Sequence, residues 1–321
     1  MNDYGNGFRE VGDEFPNPFV FCCTTSWLSY AAVLIKRIDE LHQFATVHYI
    51  VIIQSKNMSK DNFSISEFRS YFRESRIDLR IIEVPETVVT SRVDTTNSRL
   101  PSATYLRCLI PDLLQNENYA IYLDVDVWVE RNLNHILFLK PFTAIAAHNM
   151  FWSIESNRLY RNHDENYFLV GTMVLNLNRL REIDFTNKVF KILQENKSMV
   201  NMEMDAINLL LEPMNEISNL NSNFCWLANY PKIKNPSREG YLYQSPAIVH
   251  FNGPKKPWSS RPLLRTWEKK WREFYKKSGF PLNTESIDVL PYSIVESGNF
   301  FLRVYRRCVW VLYGFWWRAL K

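Results

Sequence analysis

Two carboxylates, Asp124 and Asp126, interrupt the run YLDVDVWVE at residues 122–130. Its β-branched and aromatic residues read as a buried strand, where an ionised carboxylate without a partner is costly. In an extended chain, residues i and i+2 point to the same side, so the two acids face together. They repel unless one is protonated or a cation lies between them, and oxygen donors favour Mg²⁺ or Mn²⁺. Asp-x-Asp alone equally describes two solvated acids at a strand-to-loop junction. A second stretch, IVHFNGPKKPW at residues 248–258, strengthens the metal reading. A β-like run ends in His250, Gly253 permits a close backbone approach, and Lys255 and Lys256 follow. An imidazole joining two carboxylates suits Mn²⁺, and a lysine six residues on meets a diphosphate as a point charge.

The elements around these residues alternate. PFVFCCTTSWLSYAAVLIKRIDEL reads as a strand, a polar turn and an amphipathic helix. TVHYIVIIQS is a second strand, SISEFRSYFRES a helix and DLRIIEVP a third strand. SATYLRCLIPDLL is helical with a break expected near Pro111, and the strand with the two acids comes next. PFTAIAAH and YFLVGTMVLNLNRLRE are further strands, the second turning into a helix. Near-continuous apolar strands alternating with helices imply an α/β fold, a mainly parallel sheet covered by helices. Its ligands gather outside the carboxyl ends of the strands. Asp-x-Asp after a strand also opens phosphatases of the haloacid-dehalogenase type. There Thr or Val is expected two places after the second Asp, where this chain has Trp128.

Composition narrows the setting. Of 321 residues 46% are hydrophobic and 15% aromatic, which describes a globular chain. From His250 to Lys321 there are 14 Lys and Arg against 5 Asp and Glu, so a basic end follows a body of net negative charge. That asymmetry points to an anionic surface; nucleic acid is not expected, because no zinc-finger spacing or RNP-like motif accompanies it. Five cysteines, odd in number and without CxxC spacing, argue against a disulfide framework or zinc site and for a reducing compartment. The first residues lack the apolar stretch of a secretory signal, and no uncharged apolar run reaches transmembrane length. The expected setting is the cytosol.

The blocks YLRCLIPDLL, YAIYLDVDVWVERNLNHI, YFLVGTMVLNLNRLRE, MDAINLLL and HFNGPKKPW, in this order, resemble glycosyltransferase family 8 from about Pro18 to Trp258. The resemblance implies a GT-A fold, Rossmann-like, and a retaining, metal-dependent transferase. It moves a hexose from a nucleotide-diphospho-sugar, UDP-linked, to a saccharide or lipid-linked saccharide acceptor in lipopolysaccharide or surface polysaccharide synthesis. It implies that Asp124, Asp126 and His250 ligate Mn²⁺, with Mg²⁺ the alternative. Val125 then meets the ribose through its backbone, Gly253 and Lys256 the diphosphate, and Arg107 the donor-sugar region.

Other positions depart from the family pattern. Where the family has Asp-Asp-Asn after the first strand, this chain has Thr24-Thr25-Ser26, and Thr24 and Ser26 retain hydroxyls for the nucleotide. The family's Asn-Ala-Gly, a donor-sugar motif, is Leu169-Val170-Gly171. Its Asp-Gln-Asp is Glu203-Met204-Asp205, so Glu203 and Asp205 keep the carboxylates of the catalytic centre. Met204 replaces a glutamine, and its thioether is a poor nucleophile. The family's acidic residue after the next strand is replaced around His148 and Asn149. A same-face substitution therefore fits better than double displacement, and the donor is expected to lack or alter a hydroxyl. The competing classes are a weak or inactive nucleotide-sugar-binding relative and a membrane-bound scaffold.

Residues 1–259 are read as the catalytic domain and 260–321 as a basic helical extension. Its last segment, residues 300–321, carries Arg303, Arg306 and Arg307 at helical spacing before Trp310, Trp316 and Trp317. That pattern fits an anchor on the cytoplasmic face of the inner membrane, against anionic lipid; the alternative is a helix packed on the catalytic domain.

Overall fold

The computed structural model describes residues 8–9, 15–43, 46–55, 65–73, 75, 77–94, 101–149, 166–196, 202–228, 246–253, 256–259 and 266–280. The segment 300–321 lies outside them. The strands are β1 (Phe8–Arg9), β2 (Phe19–Thr24), β3 (His48–Ser55), β4 (Asp78–Pro85), β5 (Tyr119–Leu123), β6 (Val127–Val129), β7 (Lys140–Pro141), β8 (Ile145–Asn149), β9 (Phe168–Asn176), β10 (Ile217–Asn219), β11 (Trp226–Leu227) and β12 (Ile248–His250). Seven of them form one sheet in the order β10-β8-β9-β5-β2-β3-β4. Its pairings are parallel except those of β9, which is antiparallel to both β5 and β8. The expected α/β architecture is present.

The apolar runs are continuous because the sheet is covered on both faces. On one face Phe19, Phe21, Val51 and Ile53 pack with Leu28, Ala31 and Ile35 of the helix Leu28–Leu41. On the other, Val20, Ile50, Ile52 and Tyr122 pack with Tyr105, Leu106 and Leu109 of the Ser102–Leu109 segment and with Val189 and Phe190 of the helix Phe185–Glu195. Every residue of β9 is buried.

Two local expectations are corrected. Ser102–Leu109 is a 3₁₀ helix that passes into the α-helix Ile110–Leu113. Pro111 sits in the first turn of that helix, where a missing N–H breaks no bond, so the change at this point is one of helix type. The two acids also do not lie on a strand. β5 stops at Leu123, and residues 124–126 form the turn into β6.

After residue 259 the next described element is the helix Thr266–Ser278. Trp271 and Tyr275 on its buried face join the same core as the Leu28–Leu41 helix, and Tyr71 Oη donates to Ser278 O at 2.6 Å. No helix among the described residues is long and apolar enough to cross a membrane.

Candidate active site at the carboxyl ends of the strands

The turn at 124–126 is held at both ends by backbone bonds. Asp124 N donates to Gly171 O of β9 at 2.9 Å, and Phe251 N donates to Asp126 O at 2.9 Å. The three-stranded sheet β11-β12-β6 supplies the third member of the cluster. β12 runs antiparallel to β6 with His250 opposite Val127, which brings His250 back beside the turn that precedes β6. One ligand atom from each of Asp124, Asp126 and His250 lies within 4.8 Å of the others. His250 Nε2 is 3.1 Å from Asp126 Oδ1 and 3.6 Å from Asp124 Oδ2. This closeness requires Gly171. A Cβ there would stand 2.7 Å from His250 Cε1, 2.8 Å from His250 Nδ1 and 3.0 Å from Asp124 Oδ2.

Each carboxylate is oriented from behind. Asp124 Oδ1 accepts from Tyr122 Oη at 2.6 Å and from Arg107 Nη2 at 2.8 Å, which leaves Oδ2 turned toward His250. Arg107 is in turn fixed by the carbonyls of Thr104 (3.2 Å) and Val170 (3.3 Å), with its guanidinium 5.0 Å from the Tyr122 ring centroid. Asp126 Oδ1 faces His250, and Oδ2 accepts from Lys256 Nζ, which also donates to Phe251 O at 2.6 Å. Burial opposes charge on both His250 and Asp126, but their mutual attraction prevails. With no cation between them it raises the imidazole above its ordinary value and, with Lys256, holds the Asp126 carboxyl well below the usual carboxylate range; a bound cation would take the place of that proton on the imidazole nitrogen. His250 is also hydrogen-bonded to Cys225, which is 2% exposed. A polar partner of this kind orients an imidazole used as a ligand. Two carboxylate oxygens and one imidazole nitrogen, each with such support, fit a divalent cation of the Mn²⁺ or Mg²⁺ type.

Glu203 and Asp205 open the helix Glu203–Leu211, and they point to different surroundings. Asp205 is fully buried and accepts from Tyr167 Oη at 2.7 Å. Glu203 Oε1 is 3.8 Å from Arg107 Nη2, while buried Oε2 has no hydrogen-bond partner among the described residues. Burial raises its carboxyl to about 7; Arg107 opposes the rise, and Asp124 and Asp205 add to it. Beside it, buried Leu169 and Cys225 pack with Met204 and Leu227.

The remaining residues lie around this centre. Thr24 ends β2, next to β5 in the sheet, Ser26 follows it, and their hydroxyl oxygens are 2.8 Å apart. The Val125 side chain belongs to the core. Gly253 is exposed, with φ 84°. Sequence reasoning missed Tyr122 and Cys225. Tyr122 had a signal, two residues before Asp124 on an extended strand; Cys225 had none.

A mainly parallel sheet with an Asp-x-Asp turn, a histidine and a lysine gathered at its carboxyl ends is the GT-A fold of glycosyltransferases. The galactosyltransferase LgtC, solved with donor and acceptor sugar analogs, matches with a TM-score of 0.70 at 17% identity, covering 83% of this chain and 98% of that one. The bifunctional glycosyltransferase WbbM matches at 0.63 and 17% identity over 86% of this chain and 52% of its own. GlyE of Streptococcus pneumoniae TIGR4 matches at 0.56 and 16% identity, over 91% and 64%. Residues 18–261 match glycosyl transferase family 8, and the chain belongs to that family. General stress protein A of Bacillus subtilis (strain 168) is 26% identical over 207 residues, 57% of this chain and 68% of that protein.

Proposed function

We propose that this glycosyltransferase moves a hexose from a UDP-linked donor to a saccharide acceptor, with retention of configuration, in lipopolysaccharide or other surface polysaccharide synthesis. The observation that carries the reading is the meeting of Asp124, Asp126 and His250 within 4.8 Å, with Lys256 on the outer oxygen of Asp126. These three side chains would hold Mn²⁺ or Mg²⁺, which when bound supplies a Lewis acid for the departing diphosphate. Lys256 adds a cation where that negative charge develops, and Gly253 lets the backbone come close to the phosphates. Thr24, Ser26 and the Val125 backbone would contact the nucleoside.

The sugar lies toward Arg107, Gly171 and Glu203 in this reading. The bond from the anomeric carbon to the diphosphate breaks with its electron pair going to phosphate oxygen. The acceptor hydroxyl bonds the same face of that carbon and passes its proton to the same phosphate oxygen. Met204 offers no nucleophile for a covalent intermediate, and this route needs none. The apolar group of Leu169, Cys225, Met204 and Leu227 favours a donor that lacks or alters a hydroxyl, because buried polar groups matched to hydroxyls set specificity.

The test is turnover of a panel of nucleotide sugars with Mn²⁺, with Mg²⁺ and with chelator. Metal-dependent release of sugar that disappears in Asp124→Asn is the expected result. Metal-dependent binding with no turnover of any donor would favour an inactive sugar-nucleotide-binding relative. Use of UDP-galactose alone would sink the altered-hydroxyl reading. Residues 300–321 would hold the enzyme on anionic lipid at the cytoplasmic membrane face. Their removal should preserve activity on a soluble acceptor and reduce co-sedimentation with anionic liposomes.

A further inference from the structure

The helix Thr266–Ser278 lies beyond the residues matched to the family. Most of its contacts anchor it. Trp271 is 2% exposed, with its ring centroid 5.0 Å from Tyr275 and 5.2 Å from Trp258. Lys270 pairs with Glu130 beside β6, and Phe274 meets Trp128 edge-on at 5.8 Å. Arg272 does something different. Its Nε donates to Pro257 O and its Nη2 to Ser259 O, the latter at 2.7 Å.

Those two carbonyls belong to the turn that carries Lys256. Within it, Lys256 N donates to Ser259 Oγ at 2.9 Å, and Ser259 N donates to Lys256 O at 3.0 Å. Trp258 seats the turn by stacking on Tyr30, with ring centroids 4.0 Å apart and planes 12° apart. Trp27 meets the same indole edge-on at 5.4 Å, so the side chain at 258 is fixed by its rings, while the carbonyls on either side of it are held by Arg272. A guanidinium is a rigid fork of donors, so two carbonyls bound to it keep a fixed separation and direction. Burial lowers the pKa of Arg272, and Glu268, one helical turn earlier and 1% exposed, opposes that fall.

The geometry points to Arg272 as a positioning residue for diphosphate binding: it fixes the backbone of residues 256–259 and thereby the reach of the Lys256 ammonium. Lys256 has a flexible four-carbon stem, so where its charge falls depends on where its Cα is held. The helix Thr266–Ser278 is on this account part of the donor site, although no bond among the described residues joins it to Asp124, Asp126 or His250. The inference rests on the reading of Lys256 as a diphosphate contact.

Calorimetric titration of the full chain in Mn²⁺ with UDP and with UMP tests it, in wild type, Arg272→Met, Arg272→Lys, Lys256→Gln and the Lys256→Gln/Arg272→Met double variant. UDP affinity should fall about tenfold or more in Arg272→Met. UMP affinity should hold, because UMP lacks the second phosphate. In the Lys256→Gln background the loss of Arg272 should add nothing, as expected for two residues acting through one contact. Arg272→Lys keeps the charge but not the fork, and should weaken UDP binding selectively even if the Met variant does not fold. Unchanged UDP affinity in both Arg272 variants overturns the inference. So does equal weakening of UDP and UMP in Arg272→Lys, or a double variant that shows the sum of both losses. A wild type that binds no UDP would instead overturn the diphosphate reading of Lys256, and this inference with it.

Discussion

Two sides of the site meet at β9 and are built differently. Against Gly171 stand His250 and Asp124, and Asp126 and Lys256 join them through His250, a set of charges in which each has a named partner. Two residues earlier, Leu169 belongs to an apolar group with Cys225, Met204 and Leu227, and Glu203, next to Met204 in the chain, has an oxygen with no hydrogen-bond partner among the described residues. Buried charge is tolerated only with partners in good geometry, so the first side depends on particular residue types. The apolar side is constrained by volume, which many combinations satisfy. On the function proposed above, donor specificity should therefore vary on the second side while the charged side stays the same.

The contrast can be broken most directly at Asp126. Asp126→Asn removes the charge that His250 and Lys256 share, and metal-dependent turnover should fall by about 10²–10³-fold. A Mn²⁺ titration of activity reads the loss, and a variant retaining wild-type turnover would show that the cluster is not the centre of the chemistry. Gly171→Ala places a methyl between the two sides. His250 or Asp124 has to give way, and Mn²⁺ affinity should drop by about 10–100-fold while the chain stays folded. Electron paramagnetic resonance of free Mn²⁺ measures this. Unchanged affinity would mean that the imidazole is free to move.

Glu203 gives the smallest effect and sharpens the other side. Its folded carboxyl is raised by burial to about 7. Its contribution to stability is therefore fully present below the ordinary carboxylate pKa and is lost as pH rises through 7. The wild-type melting temperature should decline from pH 5 to 8 by about 2–4 °C more than that of Glu203→Gln, which stays neutral throughout. Parallel profiles would place the unpaired oxygen in contact with a compensating group.

Much of this was legible in the residue types. Runs such as FVFCCT and YIVIIQ could only be strands covered on both faces, and the structure places them at β2 and β3. Asp124, Asp126, His250 and Lys256 stood out because acids in apolar surroundings demand a partner. The position of the acids on a strand was misjudged, since alternation in the sequence does not reveal where pairing stops. In the fold, β5 ends one residue before Asp124.

Other parts had no signature. Cys225 and Tyr122 pass in the sequence for ordinary core residues, and Arg272 for a solvated charge on an amphipathic helix. Local pattern determined the strands, the covered sheet and the types of the charged residues, because burial and ionisation act on each residue where it stands. Only the tertiary structure decided which oxygen of Asp124 faces His250, why position 171 has no side chain, and which carbonyls Arg272 holds. Hydrogen bonds and close contacts depend on distances of a few tenths of an ångström between segments far apart in sequence, and those distances exist only once the chain is packed.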